Sequence, residues 1–224
     1  MDLQRYATTA GVAQGAMPAQ PGAPAREMLG THAPVVRDLR GRAGRSPHSL
    51  DFASGDLVVV SGLPGSGKST LIRRAVTDRA IDSQDTRDTW AGALPRLLPY
   101  ALYRPLVRVA HYYGLWRALR SGESVVVHDC GTQAWVRRWL ARDARRRVRT
   151  LHLVLLDVTP EVAREGQRER GRGVSGYAFA RHRRSVGRLL HDTERGLLPP
   201  GCASAVLLDR EAAGVLGRIS FADE

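Results

Sequence analysis

Residues 57–73 read LVVVSGLPGSGKSTLIR, and this stretch narrows the fold further than any other in the chain. Gly62, Leu63, Pro64, Gly65, Ser66, Gly67, Lys68 and Ser69 satisfy the pattern G-x-x-x-x-G-K-S, the phosphate-binding P-loop. The β-branched run Leu57-Val58-Val59-Val60 before it suits a buried parallel strand. The residues from Ser69 to Val76 after it carry apolar side chains at helical spacing. Glycines let backbone N–H groups turn inward around phosphate oxygens, where a side chain at positive φ would clash. The following helix points its positive end at the same anion. In such a loop Gly62 to Thr70 cradle ATP, Lys68 reaches the β- and γ-phosphates and the Ser69 hydroxyl ligates Mg²⁺.

With 224 residues the chain has room for one α/β domain and a tail. Its formal charge is +12, and Lys68 is its only lysine. A charge of this sign raises nucleic acid or another polyanion as a partner. Arginine used throughout, with many Ala, Gly and Val, equally suits a GC-rich coding sequence. Cys130 and Cys202 have no metal-ligand spacing and read as reduced thiols of a cytoplasmic protein. No apolar run approaches the ~20 residues of a membrane span, and the N-terminus lacks a signal-peptide core.

Residues 1–50, rich in Ala, Gly, Pro and Arg, lack sustained periodicity and are expected to form a disordered tail. Val35-Val36-Arg37-Asp38-Leu39 suits a short docking segment, though a solvated tail is the plainer expectation, and the globular domain is expected over 51–224. A short second strand near Ala80-Ile81 runs into a polar turn. Ligands bind outside the carboxyl ends of parallel strands, so Asp85 and Arg87 are candidates for the acceptor substrate. The carboxylate would orient or deprotonate a hydroxyl, and the guanidinium would hold an anionic group. A helix N-cap explains Asp85 as well.

Residues 90–120, interrupted by Pro95, Pro99 and Pro105, suggest several short helices on the acceptor side. Their aromatics and arginines can stack on bases and grip phosphates; the plainer reading is an amphipathic insert packed on the sheet. Val125 to Asp129 is a strand closed by an acid, so Asp129 is a candidate Mg²⁺ or catalytic carboxylate, and Thr132 a candidate acceptor contact. Residues 134–148 read as a basic amphipathic helix with Trp135, Trp139 and Leu140 inward. Leu151 to Leu156 is the fourth strand, with a helix starting at Pro160-Glu161. That helix carries Arg164, Arg168, Arg170 and Arg172 into a glycine-rich stretch, which suits a lid over 161–176 closing on a transferring phosphate. Residues 177–190 form another helix, and 203–208 the fifth strand, ending at Asp209 on the adenine side.

On GLPGSGKST (62–70), DSQDTR (82–87), VVVHDCGT (125–132) and LLDVTPEVAREGQRERGRG (155–173), the chain resembles the P-loop kinase-like AAA-type ATPases of the zeta-toxin and polynucleotide-kinase group. The likeness is greatest to actinobacterial sequences labelled AAA family ATPase or ATP-binding protein, and it spans about residues 55 to 210. It implies a P-loop NTPase three-layer α/β/α sandwich with a five-stranded parallel sheet in the adenylate-kinase layout. It further implies ATP with Mg²⁺, an Asp acting on an acceptor hydroxyl, and lid arginines. Relatives usually show Asp-x-x-Arg after strand two, whereas Asp85-Thr86-Arg87 is one residue tighter. The sensor segments and helical lid domain of the regulatory AAA machines have no room here.

The function expected is phosphoryl transfer from ATP to a hydroxyl of a small molecule or a nucleic-acid end. A nucleotide-binding regulator without transfer, and an arginine-rich nucleic-acid-binding protein, are the alternatives.

Overall fold

The β-branched runs foreseen as strands line up side by side. In the computed structural model, which describes residues 35–42, 45–76, 80–81, 100–129, 134–171 and 173–222 (80–81 and 100–108 as backbone), the elements follow in the order β1 (Val35–Asp38), β2 (Ser49–Ala53), β3 (Leu57–Gly62), α1 (Lys68–Ala75), β4 (Ala80–Ile81), α2 (Tyr100–Ser121), β5 (Val125–His128), α3 (Ala134–Arg146), β6 (Leu151–Leu156), α4 (Pro160–Arg168), α5 (Gly176–Glu194), β7 (Ser204–Leu208), α6 (Arg210–Val215) and β8 (Arg218–Ala222). The main sheet has the order β1-β7-β6-β3-β5-β4, parallel at every pairing. Its five inner-to-edge strands β7, β6, β3, β5 and β4 are the five read from the sequence.

Side chains alternate along each strand, so β3 feeds two cores. Leu57 and Val59 join Val125, Val127, Leu153, Leu155 and Leu207 against α2, α3 and α5. Val58 and Val60 join Val126, Val154, Leu156 and Leu208 against α1 and α6. Every residue of β3 is buried, as a central parallel strand covered on both faces requires. The result is the expected three-layer sandwich.

The tail reaches less far than expected. Val35 to Asp38 pair with Ser204 to Leu207 of β7, and Leu39 is fully buried in the α1-side core. Arg40 then ties the strand down, donating to Asp38, to Asp157 after β6 (2.6 Å) and to Glu194 of α5 (2.7 Å). Val35 to Arg40 therefore belong to the folded domain, expected from the sequence to start near Asp51. A second correction concerns β2, which pairs in parallel with β8 (Leu50 opposite Ile219, Phe52 opposite Phe221). Its residues, assigned partly to the tail, help cover the same core.

From Tyr100 on, α2 is a single helix rather than a series of short ones. Pro105 lies in its second turn, where it removes one backbone donor, and Leu115, Ala118 and Leu119 bury the helix against the sheet. On α3, Leu140 is buried as foreseen, but Trp135 points outward.

A polar cluster sits at the opposite edge of the sheet from the P-loop. Asp56 accepts from Thr150 N (2.8 Å) and lies 2.9 Å from His152 Nε2, whose Nδ1 meets Ser204 Oγ at 2.8 Å. Burial raises the Asp56 pKa, but the His152 and Thr150 hydrogen bonds outweigh it, and the carboxyl lies below its ordinary 3.8. A carboxyl lowered on folding gives stability that is full above its unfolded value and lost as pH falls through the folded one. Thermal unfolding between neutral pH and pH ~3 should therefore show a shallower acid fall for Asp56→Asn than for the wild type. Parallel acid limbs would remove Asp56 from the acid response.

Candidate active site

All strands being parallel, their carboxyl ends open on one edge, and the P-loop, Asp129, Asp157 and Asp209 follow β3, β5, β6 and β7 there. The loop leaves β3 at Gly62 and enters α1 at Lys68, with Gly67 capping the helix in the left-handed region (φ 95°) and lending no side chain to the cap. The first-turn N–H groups of such a helix have no carbonyl partner within it, so Lys68, Ser69 and Thr70 stand at the helix end that favours an anion. Lys68 is buried, its ammonium donating to Gly62 O (2.9 Å), Leu63 O (2.6 Å) and Ser66 Oγ (3.4 Å). The only lysine of the chain is thus held by the loop it serves.

The loop tip rests on α4. Gly65 has φ 88°, and a Cβ there would lie 2.0 Å from Ala163 O; a Cβ on Gly166 would lie 2.5 Å from Gly65 O. Two glycines face each other because neither backbone leaves room for a methyl group. Around this contact Gln167 Nε2 donates to Pro64 O (2.9 Å) and Gln167 Oε1 accepts from Val174 N (3.0 Å). Leu63, Ala163, Phe179 and Val186 form a small apolar cluster beneath. Gln167 and Gly166 were not singled out by sequence reading, although a glycine inside a helix is itself a signal of close approach.

A test of the contact is Gly166→Ala. The substitution alone adds about 0.4–1 kcal/mol of helix stability through the unfolded chain, whereas overpacking costs about 1–3 kcal/mol. The clash should win and displace the loop. ATP affinity should fall by at least about tenfold in an equilibrium titration, with the melting temperature lowered by several degrees at most; undiminished affinity would show that the loop is set without α4.

The arginines expected in a lid divide. Arg170 Nη2 donates to Thr70 Oγ1 at 3.0 Å, reaching the first turn of α1. Arg168 borders an open cavity of about 450 Å³ between α4 and α5, with Arg164, Gln167, Gly171, Val174 and Phe179. The guanidinium of Arg164 lies over the Phe179 ring, 4.6 Å from its centre. The helix start is as foreseen, with Pro160 in the first turn and Thr159 capping it.

Asp129 is buried and its Oδ2 binds Arg137 Nη1 at 2.5 Å and Ser61 Oγ at 3.5 Å. Arg137, an unforeseen member of the site, is the one buried arginine of α3. The Asp209 carboxylate serves the scaffold, Oδ1 capping α6 through Ala212 N and Oδ2 accepting from Gly41 N, both at 2.7 Å. Its expected place beside adenine thus coincides with a structural use of both oxygens. Asp85, Arg87, Thr132 and Arg172 lie outside the described residues. Burial pushes the Cys202 thiol up to about 11, with Arg137 opposing, so it is a packed thiol at neutral pH.

Among the described residues no group of three or more His, Cys, Asp or Glu could hold a metal. Buried Ser69 and Asp129 carry oxygen donors of the type Mg²⁺ takes, usually one or two from the protein.

Residues 57–190, more than half of the chain, match the AAA domain family. The chain belongs to the AAA domain family. No curated protein sequence matches it. Among solved structures, this chain is similar to one from the PezAT chromosomal toxin-antitoxin system of Streptococcus pneumoniae, with TM-score 0.51 and 14% identity over 75% of this chain and 79% of that one. It is also similar to a gluconokinase from Sinorhizobium meliloti 1021, with TM-score 0.41 and 20% identity over 73% and 93% of the two chains. The AAA domain thus carries its P-loop at the carboxyl edge of a parallel α/β sheet. No helix among the described residues is long and apolar enough to cross a membrane.

Proposed function

We propose that the protein is a cytoplasmic, ATP- and Mg²⁺-dependent phosphotransferase acting on a hydroxyl of a small molecule or a nucleic-acid end. The observation that carries this reading is the Arg170–Thr70 hydrogen bond. Binding a nucleotide requires only the loop; an arginine drawn from the segment after β6 onto the phosphate end of α1 adds charge where a γ-phosphoryl group would leave. The resemblance to the zeta-toxin and polynucleotide-kinase group supports the same reading.

In the proposed step the acceptor oxygen attacks the γ-phosphorus, the bond to the β–γ bridging oxygen breaks and ADP leaves. The hydroxyl proton passes to Asp85, while Arg87 and Thr132 orient the acceptor. Lys68 turns from Gly62 O and Leu63 O to the phosphate oxygens. Arg168, Arg170 and Arg172 close over them, and the backbone of residues 62–70 holds the remaining charge. Ser69 and Asp129 would hold Mg²⁺, which would supply neutralisation of phosphate charge.

ADP release across a panel of hydroxyl compounds and oligonucleotide ends tests the reading. Stimulation by one compound class is expected; tight ATP binding with no acceptor-dependent turnover would make the protein a regulator. Asp129→Asn should raise the Mg²⁺ concentration for half-maximal turnover by about tenfold. A purely structural Asp129 would instead lower the melting temperature, through its Arg137 pair, and leave the Mg²⁺ dependence alone.

A further inference from the structure

The inner faces of α2 and α3 pack on the sheet. Their outer faces are unusual for solvated helices. Val109, Tyr113, Trp116 and Arg120 recur at spacings of four, three and four, which places them on one stripe of α2. Val109, Tyr113 and Trp116 are 66%, 61% and 43% exposed. The Tyr113 and Trp116 rings stack with centroids 5.7 Å apart, and the Arg120 guanidinium lies 4.9 Å over the Trp116 ring. On α3, Trp135 is 46% exposed and meets the half-buried Tyr112 of α2 at 4.9 Å between centroids, so Trp135 lies against α2 beside that stripe. Arg138 and Arg142 follow Trp135 on the same side and are exposed.

Charge decides what such a face can receive. α2 contains no acidic residue, and the single one of α3, Asp143, pairs with Arg147. A second copy of this chain would set arginines against arginines. Flat π-faces between guanidinium groups instead match unstacked bases strung on phosphates. Bases inside a duplex cannot present those faces. We propose that the α2–α3 face docks single-stranded nucleic acid, with Tyr113, Trp116 and Trp135 as stacking platforms and Arg120, Arg138 and Arg142 at the phosphates. α3 starts just beyond β5, so the Trp135 end of this face opens on the same edge of the sheet as the P-loop. The docking does not depend on phosphoryl transfer.

Fluorescence anisotropy of the full chain with a labelled oligo(dT) of roughly 20 nucleotides, without ATP, tests this. Binding should be stronger than to a duplex of equal length and should fall steeply with salt. Trp116→Ala should weaken it about tenfold with an unchanged salt slope, because a stack is not an ion pair. Arg138→Ala with Arg142→Ala should reduce the slope by about two phosphate contacts. Trp135→Ala disturbs the Tyr112 contact and could affect folding; Trp116, outside the core, remains the arbiter. Failure to bind the oligonucleotide, unchanged affinity in Trp116→Ala, or equal competition by poly-glutamate would overturn the proposal, the last assigning the face to an acidic protein. The inactive Lys68→Ala chain should bind the oligonucleotide normally, which separates this result from the fate of the phosphotransferase reading.

Discussion

Lys68→Ala is expected to lower ATP turnover by about 10²- to 10³-fold or more, the range for loss of one preorganised charge at a transition state. The chain has no second lysine to substitute for it. Its ammonium is buried against Gly62 O and Leu63 O, so removal also leaves carbonyls short of a donor, at about 1–3 kcal/mol. That cost is smaller than the stability of an ordinary domain, roughly 5–15 kcal/mol, so the variant should fold. A melting curve beside a turnover assay checks both halves. Undiminished turnover would remove the P-loop from the function, and an unfolded chain would make Lys68 a scaffold residue.

The second large effect lies at the β1 border of the sheet. Leu39→Ala is expected to cost about 2–5 kcal/mol, the range for emptying a fully buried leucine site, and to lower the melting temperature by several degrees. Arg40→Ala should cost less despite its three carboxylate partners. Asp38, Asp157 and Glu194 are 49%, 35% and 41% exposed, and ion pairs at such sites are screened by solvent. Deleting residues 1–45 removes β1 together with Leu39 and should be at least as damaging as Leu39→Ala. Calorimetry of the three variants orders them. An unchanged melting temperature for the deletion would return the whole segment to a dispensable tail.

The contrast between these two sites shows what a sequence records. The P-loop is legible because phosphate chemistry fixes residue types at fixed spacing, and β3 and β6 because strands covered on both faces must be continuously apolar. β1 has no such mark. It is an edge strand, mostly exposed, held by hydrogen bonds to β7 some 170 residues away, and a backbone ladder leaves no trace in side-chain pattern. The β2–β8 pair is hidden for the same reason. An amphipathic reading of α3 turns Trp135 inward; in the structure it shares its outward side with Arg138 and Arg142 and meets Tyr112. Asp209 shows the opposite limit. An acid after a strand suits a nucleotide contact and a helix cap equally in sequence, and only the structure displays the cap. The P-loop's rest on α4 left one readable sign, Gly166 within a helix, whose meaning needed its partner Gly65.

Transfer itself is tested most directly by following the γ-phosphate. In a single turnover of γ-labelled ATP with the acceptor that best stimulates ADP release, the label is expected in a phosphorylated acceptor, formed in step with ADP and absent with Lys68→Ala. Label released only as inorganic phosphate, at a rate indifferent to the acceptor, would contradict the phosphotransferase reading and leave an ATPase.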